Sequence, residues 1–591
     1  MEELPFRQIH LDFHTSPDIP GIAEAFDPEE FAETLARAHV NSVTCFARDH
    51  HGMIYYASQK FPERIHPHLK HRNLLQEQID ACHRRGIRVP IYITVQWDHY
   101  TAEHHPEWLA IDDKGRIIGT PPYEPGFYRH LCVNTGYRDF LKVHTQEVLE
   151  TIHGVDGLFF DIVQTRECSC PECRAAMRRR GLDPSQPDAR WQFAQEMMAE
   201  FKAEMTQWVR QWNSECSIFY NRGHVGVAER AVRTHYTHFE LESLPSGGWG
   251  YLHFPTAMRY ARTLGLECAG QTGKFHTSWG DFHSFKNQAA LEFECFTMLS
   301  LGAKCIVGDQ LEPHGRLSNA VYDLIGSVYA QVEAVEPWCR KVQPLSDIAV
   351  MTTEPWFPED RGLTPEMRGV VRILTEGGHQ FDIVDPEADL TGYRVVILPD
   401  RVPVNESLAT KLTRYHAQGG AILASFESGL ASGEFSRAVL GVIREGEAPY
   451  SPDYLLPRGH LGRGLPETEH VMYQRGVQVR VEPGFDIACE TIIPYFNRTW
   501  EHFCSHRHTP SSGRPGYPGV VTGPGTVYFA HPVFSQYCRI SRFLSKAVSR
   551  SLSREREPQA EPPGFSPGAR AWRLRERITR GRAPIPVPPW Q

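Results

Sequence analysis

The residues of this chain best placed to do chemistry are acids that follow short apolar runs. In VDGLFFDIV, Leu158, Phe159 and Phe160 make a run too short for a helix, opened by the Asp156-Gly157 turn and closed by Asp161. Such a run reads as a strand buried on both faces, as in a parallel sheet. The same pattern sets Asp12 after RQIHL, Glu240 and Glu242 within HYTHFELES, and Asp309-Gln310 at the end of KCIVGDQ. Carboxyl groups from different strands can split a glycosidic bond, one protonating the leaving oxygen while the other attacks or stabilises the anomeric carbon. Asp161 and Glu240 are candidates for that pair, and Glu242, two residues on, shares a face with Glu240. The expected substrate-binding set lies at the strand ends or in the loops beyond them: His14, Arg48, Trp97, Arg129, Asn221, Arg222, Glu242, Trp279, Asp309 and Gln310. The tryptophans suit the apolar faces of sugars, and Arg129 and Arg222 could clamp a carboxylate. The acids also have a structural reading, as turn caps or ion-pair partners, and Arg129 and Arg222 could as easily pair with Asp12 or Asp161.

A second dense motif is Cys168-Ser169-Cys170-Pro171-Glu172-Cys173. Three thiolates in six residues could hold zinc with a fourth ligand such as His153 or an acid. No second knuckle is visible, so packed thiols lining a loop are the preferred reading and no metal or other cofactor is expected.

Positioning so many polar strand ends in one crater takes a closed parallel sheet. RQIHLD, NSVTCFA, RVPIYITV, the Asp161 run, SIFYN, HYTHFELES, LECAGQTG and KCIVGDQ are eight candidate strands, separated by segments with helical periodicity such as DPEEFAETLARAHV and NLLQEQIDACHRRG. Eight such units predict a (β/α)8 TIM barrel over residues 1–343, with its chemistry at the C-terminal ends of the strands. DIAVMTT, FDIVD, RVVILPD and AILASF, with helices between them, predict a smaller Rossmann-like α/β domain over 344–448. It has no glycine-rich phosphate fingerprint and reads as structural. Short alternating runs broken by Gly and Pro predict a C-terminal β-sandwich over 449–549. An Arg- and Pro-rich tail, 550–591, is expected to be disordered.

The formal charge of −9 argues against nucleic acid or an anionic membrane as the main partner. The start, MEELPFRQIHLDFH, lacks a basic segment followed by an apolar one, so no signal peptide is expected. The 14 cysteines are scattered through apolar segments, which suits reduced thiols in a cytoplasmic protein.

HLDFHTSPDIP, FARDHHG, LCVNTGYRDFL, VDGLFFDIV with CSCPEC, ELESLPSGGWGY, KFHTSWGDF and GDQLEPHG together resemble the family called hypothetical glycosyl hydrolase 6. VVILPDRVPVNESLATKLTRYHAQGGAILAS is similar to the trimerisation domain of β-galactosidases, and PYFNRTWEHFCSHRHTP matches the tail region of the same proteins. The resemblance reaches to about residue 545 and implies a glycosidase with a carbohydrate substrate, assembled as a homodimer or homotrimer. A more distant likeness is to inverting barrel sialidases, which use an Asp after strand one and a His after strand three. Asp12 and His130 match those places, with Arg129 beside the histidine, so the likeness implies Asp12 and His130 as catalytic candidates equal to Asp161. Under it the two should meet across the crater, with the carboxylate raising the histidine pKa. An inverting exo-sialidase is thus one alternative, and a catalytically inactive sugar-binding or scaffold protein is another.

Overall fold

The structure, a computed structural model, describes residues 3–120, 124, 126 and 128–539. Its first part is a ring of eight parallel strands: β1 Arg7–Asp12, β2 Ser42–Arg48, β3 Pro90–Thr94, β4 Gly157–Asp161, β5 Ser217–Tyr220, β6 Phe239–Glu242, β7 Cys268–Gly273 and β8 Lys304–Gln310. They pair in the order β5-β4-β3-β2-β1-β8-β7-β6. Thr237, just before β6, completes the ring: its N–H donates to the Ile218 carbonyl of β5 at 3.0 Å. Helices cover the outside and side chains fill the inside, so β1, β2, β4, β7 and β8 are buried along their whole length. This explains their continuous apolar runs.

Alternation along the strands sorts residues into layers. His10, Phe46, Tyr92 and Phe159 meet inside the ring. The Tyr92 ring stacks on Phe46 at 3.8 Å and on Phe159 at 5.7 Å, and His10 lies edge-on to Phe159 at 4.8 Å. Two residues further toward the C-terminal ends come Asp12, Asp161, Asn221, Glu242 and Gln310, which form the floor of the crater. The β2–β3 register shifts between Phe46 and Arg48. That irregularity breaks the alternation, so Arg48 does not share the inward face of Phe46.

The second part is built on β9 Ile348–Met351, β10 Phe381–Val384, β11 Val395–Leu398 and β12 Ala421–Ser425, with helices Pro365–Glu376 and Glu406–Ala417 between them. Seven strands follow: β13 Val442–Glu447, β14 Asp453–Leu455, β15 His470–Met472, β16 Val477–Val481, β17 Asp486–Pro494, β18 Ser511–Gly523 and β19 Thr526–Phe529. The last of them, β19, lies parallel to β12, giving one nine-stranded sheet in the order β10-β9-β11-β12-β19-β18-β17-β14-β15. Hydrogen bonds therefore cross the expected boundary at 448/449. The C-terminal strands extend the α/β sheet, and among the described residues only the β13–β16 ribbon adds a second layer, against β18.

The two parts are joined by polar contacts. Arg262 Nε donates to Asp382 at 2.7 Å, the Tyr260 hydroxyl donates to Asp385 at 2.5 Å, and His224 Nε2 lies 3.1 Å from Glu354. The tail expected to be disordered lies outside the described residues. Among the described residues no helix is long and apolar enough to cross a membrane.

Candidate active site

Asp161 closes β4 at the centre of the crater. Its Oδ2 accepts from the Tyr92 hydroxyl at 2.5 Å, and its Oδ1 accepts from Asn221 Nδ2 at 2.9 Å. The same Asn221 nitrogen donates to Glu242 Oε2 at 3.2 Å. One amide thus bridges two carboxyl groups, and the bridged oxygens lie within about 6 Å of each other. The other Glu242 oxygen accepts from Trp279 Nε1 at 2.9 Å. Trp279 reaches that position because Gly308 on β8 has no side chain; a Cβ there would stand 2.5 Å from the indole ring.

Burial pushes the Asp161 carboxyl above the usual carboxylate range, against the donors Tyr92 and Asn221 and the nearby His10, which favour its charged form. Burial also raises Glu242, and the charge of Asp161 raises it further, while the Trp279 N–H pulls it down. Burial thus works against the charged form of both carboxyls, and the charge of Asp161 adds to it at Glu242.

Other residues expected at the site divide into two groups. Asp12, His14, Trp97, His130, Trp279 and Gln310 line the crater with the bridged acids. Among the described residues, both amide atoms of Gln310, Gln271 Oε1 and His130 Nδ1 are buried with no hydrogen-bond partner, and sugar hydroxyls can satisfy them. Glu240 sits one layer deeper, bound to His238 Nε2 at 2.9 Å, so the acid of β6 at the crater mouth is Glu242.

The second group is spoken for elsewhere. Arg48, expected to bind substrate, has no exposed surface. It donates to the Thr94 carbonyl at 2.6 Å, lies 3.5 Å from Asp98 and stacks over Phe140. Asp309 lies 3.8 Å from Lys274, and its charge acts on Tyr322 of the helix behind the strand. Arg129 is held by Glu103 and His99, and Arg222 by Glu229 at 3.1 Å.

The expected meeting of Asp12 and His130 does not occur. Asp12 pairs with His14 at 3.0 Å. Burial lowers the His14 pKa, but the Asp12 carboxylate outweighs it and the net shift is upward. His130 Nε2 instead accepts from Trp97 Nε1 at 3.0 Å, and burial, helped by Arg166, lowers its pKa to about 3. The imidazole is a neutral acceptor that orients Trp97.

Two residues outside the expected set stand at the centre. Tyr92 holds Asp161, and its place two residues before the end of β3 was the available signal. His50 stacks on His14 at 3.9 Å, bonds Thr94 Oγ1 through Nδ1 at 2.8 Å and brings Nε2 within 3.6 Å of Asp161. No spacing marks it, because it lies in a loop.

The cysteine motif has a fourth member that local spacing concealed. Cys132, Cys168, Cys170 and Cys173 bring their four buried sulfurs within 4.8 Å of one another. A tetrahedral ion with bonds of ~2.3 Å needs sulfurs about 3.8 Å apart. Cys132 stands 3.8 Å from Cys170 and 3.4 Å from Cys173. The donor set and spacing fit a closed zinc-type site better than packed thiols. The loop after β4 would be pinned to the segment carrying His130. His153 takes no part; its N–H binds Gln76 on the far side of the barrel.

Residues 27–162 match the family described as Hypothetical glycosyl hydrolase 6, and residues 366–441 match the Beta-galactosidase trimerisation domain. The alpha-L-fucosidase isoenzyme 2 from Paenibacillus thiaminolyticus is 38% identical, with a TM-score of 0.88 over 94% of this chain and 84% of that one. A beta-galactosidase from Bacillus circulans sp. alkalophilus shares the fold at 14% identity and TM-score 0.70, over 93% of this chain and 89% of that one. A 57-residue stretch is 44% identical to the Beta-galactosidase Bga of Halorubrum lacusprofundi, and spans 10% of this chain and 8% of that protein.

Proposed function

Because the chain belongs to the family of glycosidases that includes the alpha-L-fucosidase isoenzyme 2 of Paenibacillus thiaminolyticus, we propose that it hydrolyses α-L-fucosides with retention of configuration. Asp161 is the nucleophile and Glu242 the general acid and base. The observation that carries this reading is the amide of Asn221 shared between the two carboxyl groups, which keeps the bridged oxygens within about 6 Å and fits the ~5–5.5 Å spacing of retaining enzymes better than the ~6.5–9.5 Å of inverting ones.

In the first step an Asp161 oxygen bonds to the anomeric carbon as the bond to the leaving oxygen breaks, and Glu242 gives that oxygen its proton. In the second, the Glu242 carboxylate takes a proton from water, whose oxygen displaces Asp161 from the sugar. Tyr92 and Asn221 keep Asp161 charged and aimed, while Trp97 and Trp279 offer flat faces to the ring.

An inactive scaffold would have its acids neutralised by arginine. Among the described residues the side-chain hydrogen-bond donors to Asp161 and Glu242 are Tyr92, Asn221 and Trp279, which are all neutral, and Arg361 acts on Glu242 through its charge without an ion pair. The sialidase alternative finds no support among the related proteins, and Arg129 and Arg222 are held by acids of the protein itself. The fourteen unpaired cysteines suit a cytoplasmic enzyme. A homo-oligomer fits the trimerisation-domain match and the exposed Trp500, Phe503 and Tyr495 between β17 and β18.

The test is hydrolysis of an aryl α-L-fucoside followed by NMR. The α anomer should appear first, and Asp161→Asn and Glu242→Gln should each lose ~10²-fold or more in turnover. The β anomer appearing first would overturn retention, and near-normal turnover in Asp161→Asn would remove it as nucleophile. Hydrolysis of another glycoside in preference to fucosides would overturn the substrate.

A further inference from the structure

A cavity of about 350 Å³ opens in the second domain, away from the barrel, lined by Glu366, Arg401, Phe426, Arg475, Ser535 and Arg539 among others. Its position follows from the topology. Arg401 lies just beyond β11, Phe426 directly follows β12, Ser535 follows β19, and Glu366 opens the helix after β9. The cavity thus sits at the carboxyl ends of the parallel strands of an open α/β sheet whose order, β10-β9-β11-β12-β19, reverses beside β9. Open α/β sheets bind ligands in that crevice, and the size is that of small-molecule sites.

The backbone there is strained at two neighbouring strand ends. Asp400 and Phe426 have φ of 46° and 53°, left-handed values that non-glycine residues adopt only when the surroundings impose them. The imposing contacts are present. Asp400 accepts from Ser425 Oγ at 2.7 Å and from Ser535 Oγ at 2.6 Å, while Phe426 N donates to the Phe529 carbonyl at 2.7 Å. Phe426 is held as a wall of the cavity.

The charges of the lining do not cancel. Buried Glu366 accepts two bonds from Arg401, at 2.9 and 3.1 Å, and neutralises it. Arg475 donates to the Ala448 carbonyl at 2.6 Å, and among the described residues neither it nor Arg539 has a carboxylate within ion-pair distance. Two guanidinium charges of the lining remain, while burial pushes the Asp400 carboxyl behind Ser535 up to about 6, and the two guanidinium groups suit the charge of about −2 carried by a phosphomonoester. Phe426, Pro365 and Pro532 supply apolar walls, and Gln474 and Ser535 supply hydrogen-bonding groups.

We infer that this cavity is a binding site for a small phosphomonoester on a compact polar body, of the hexose phosphate class, separate from the crater. The test is calorimetric titration of the full chain with sodium phosphate, glucose 6-phosphate and glucose. Glucose 6-phosphate should bind at least ~10-fold more tightly than phosphate, and glucose should give no heat at millimolar concentration. Arg475→Ala with Arg539→Ala should weaken glucose 6-phosphate at least ~10-fold. Both side chains are exposed, so the melting temperature of the double variant should stay unchanged, and Arg475→Lys with Arg539→Lys should restore part of the affinity. Absence of binding, binding of phosphate as tight as that of glucose 6-phosphate, or equal binding to the double alanine variant would each overturn the inference.

Discussion

Tyr92→Phe isolates the interaction that keeps the proposed nucleophile charged. The substitution removes one oxygen, the hydroxyl that donates to Asp161 Oδ2 at 2.5 Å, and leaves the ring stacked on Phe46 and Phe159. A hydrogen bond to a buried charged group is worth about 1.5–3 kcal/mol, and one pKa unit corresponds to about 1.36 kcal/mol. Both partners are buried, so solvent does little to dilute the effect. Losing the donor disfavours the carboxylate, so the Asp161 pKa, already raised by burial, rises by ~1–2 units more. The assay is kcat/KM against pH, which reports the free enzyme. Under the proposed roles the wild-type rate should fall at low pH as Asp161 gains a proton and at high pH as Glu242 loses one. In Tyr92→Phe the acid limb should move up by ~1–2 units, an activity loss of ~10- to 100-fold at a pH on that limb, while the alkaline limb stays put. An acid limb that does not move, or that moves to lower pH, would refute the assignment of Asp161 as the group that must be ionised.

The cysteine cluster should carry one zinc per chain in metal analysis, and Cys132→Ser should release it and lower the melting temperature by several degrees. Full metal retention in Cys132→Ser would exclude that residue as a ligand. Arg48→Met breaks a buried pair and should cost ~3 kcal/mol in denaturant unfolding with KM nearly unchanged; a KM effect without a stability loss would return Arg48 to the crater.

The barrel was legible because strands buried on both faces leave uninterrupted apolar runs. RQIHLD and KCIVGDQ coincide with β1 and β8 residue for residue. The acids at strand ends were visible, but their depth and direction were not. Glu240 and Glu242 share a face, and only the layer height distinguishes the residue bound to His238 from the one facing Asp161. Arg48 was misplaced because a register shift is invisible to a count of two. Asp309 was misplaced because it and Gln310 adjoin, and only one of two neighbours on a strand can face inward. Cys132 lies far upstream of its three partners, a distance that no local motif spans. The C-terminal strands read as a separate domain because nothing in their alternation says that β19 returns to lie beside β12.

That return makes the chain's apparent modularity misleading. A fragment ending at residue 448 would contain four of the five parallel strands of the α/β layer but neither β19 nor the helix Val533–Arg539 that packs on Pro365–Glu376, and β12 would present an open edge of unpaired N–H and C=O groups. During synthesis the same edge stays uncovered until about a hundred further residues have emerged. Folding of the middle of this protein therefore waits for its end, and truncations at the sequence-defined boundary should aggregate where those that retain residues to 539 remain monodisperse.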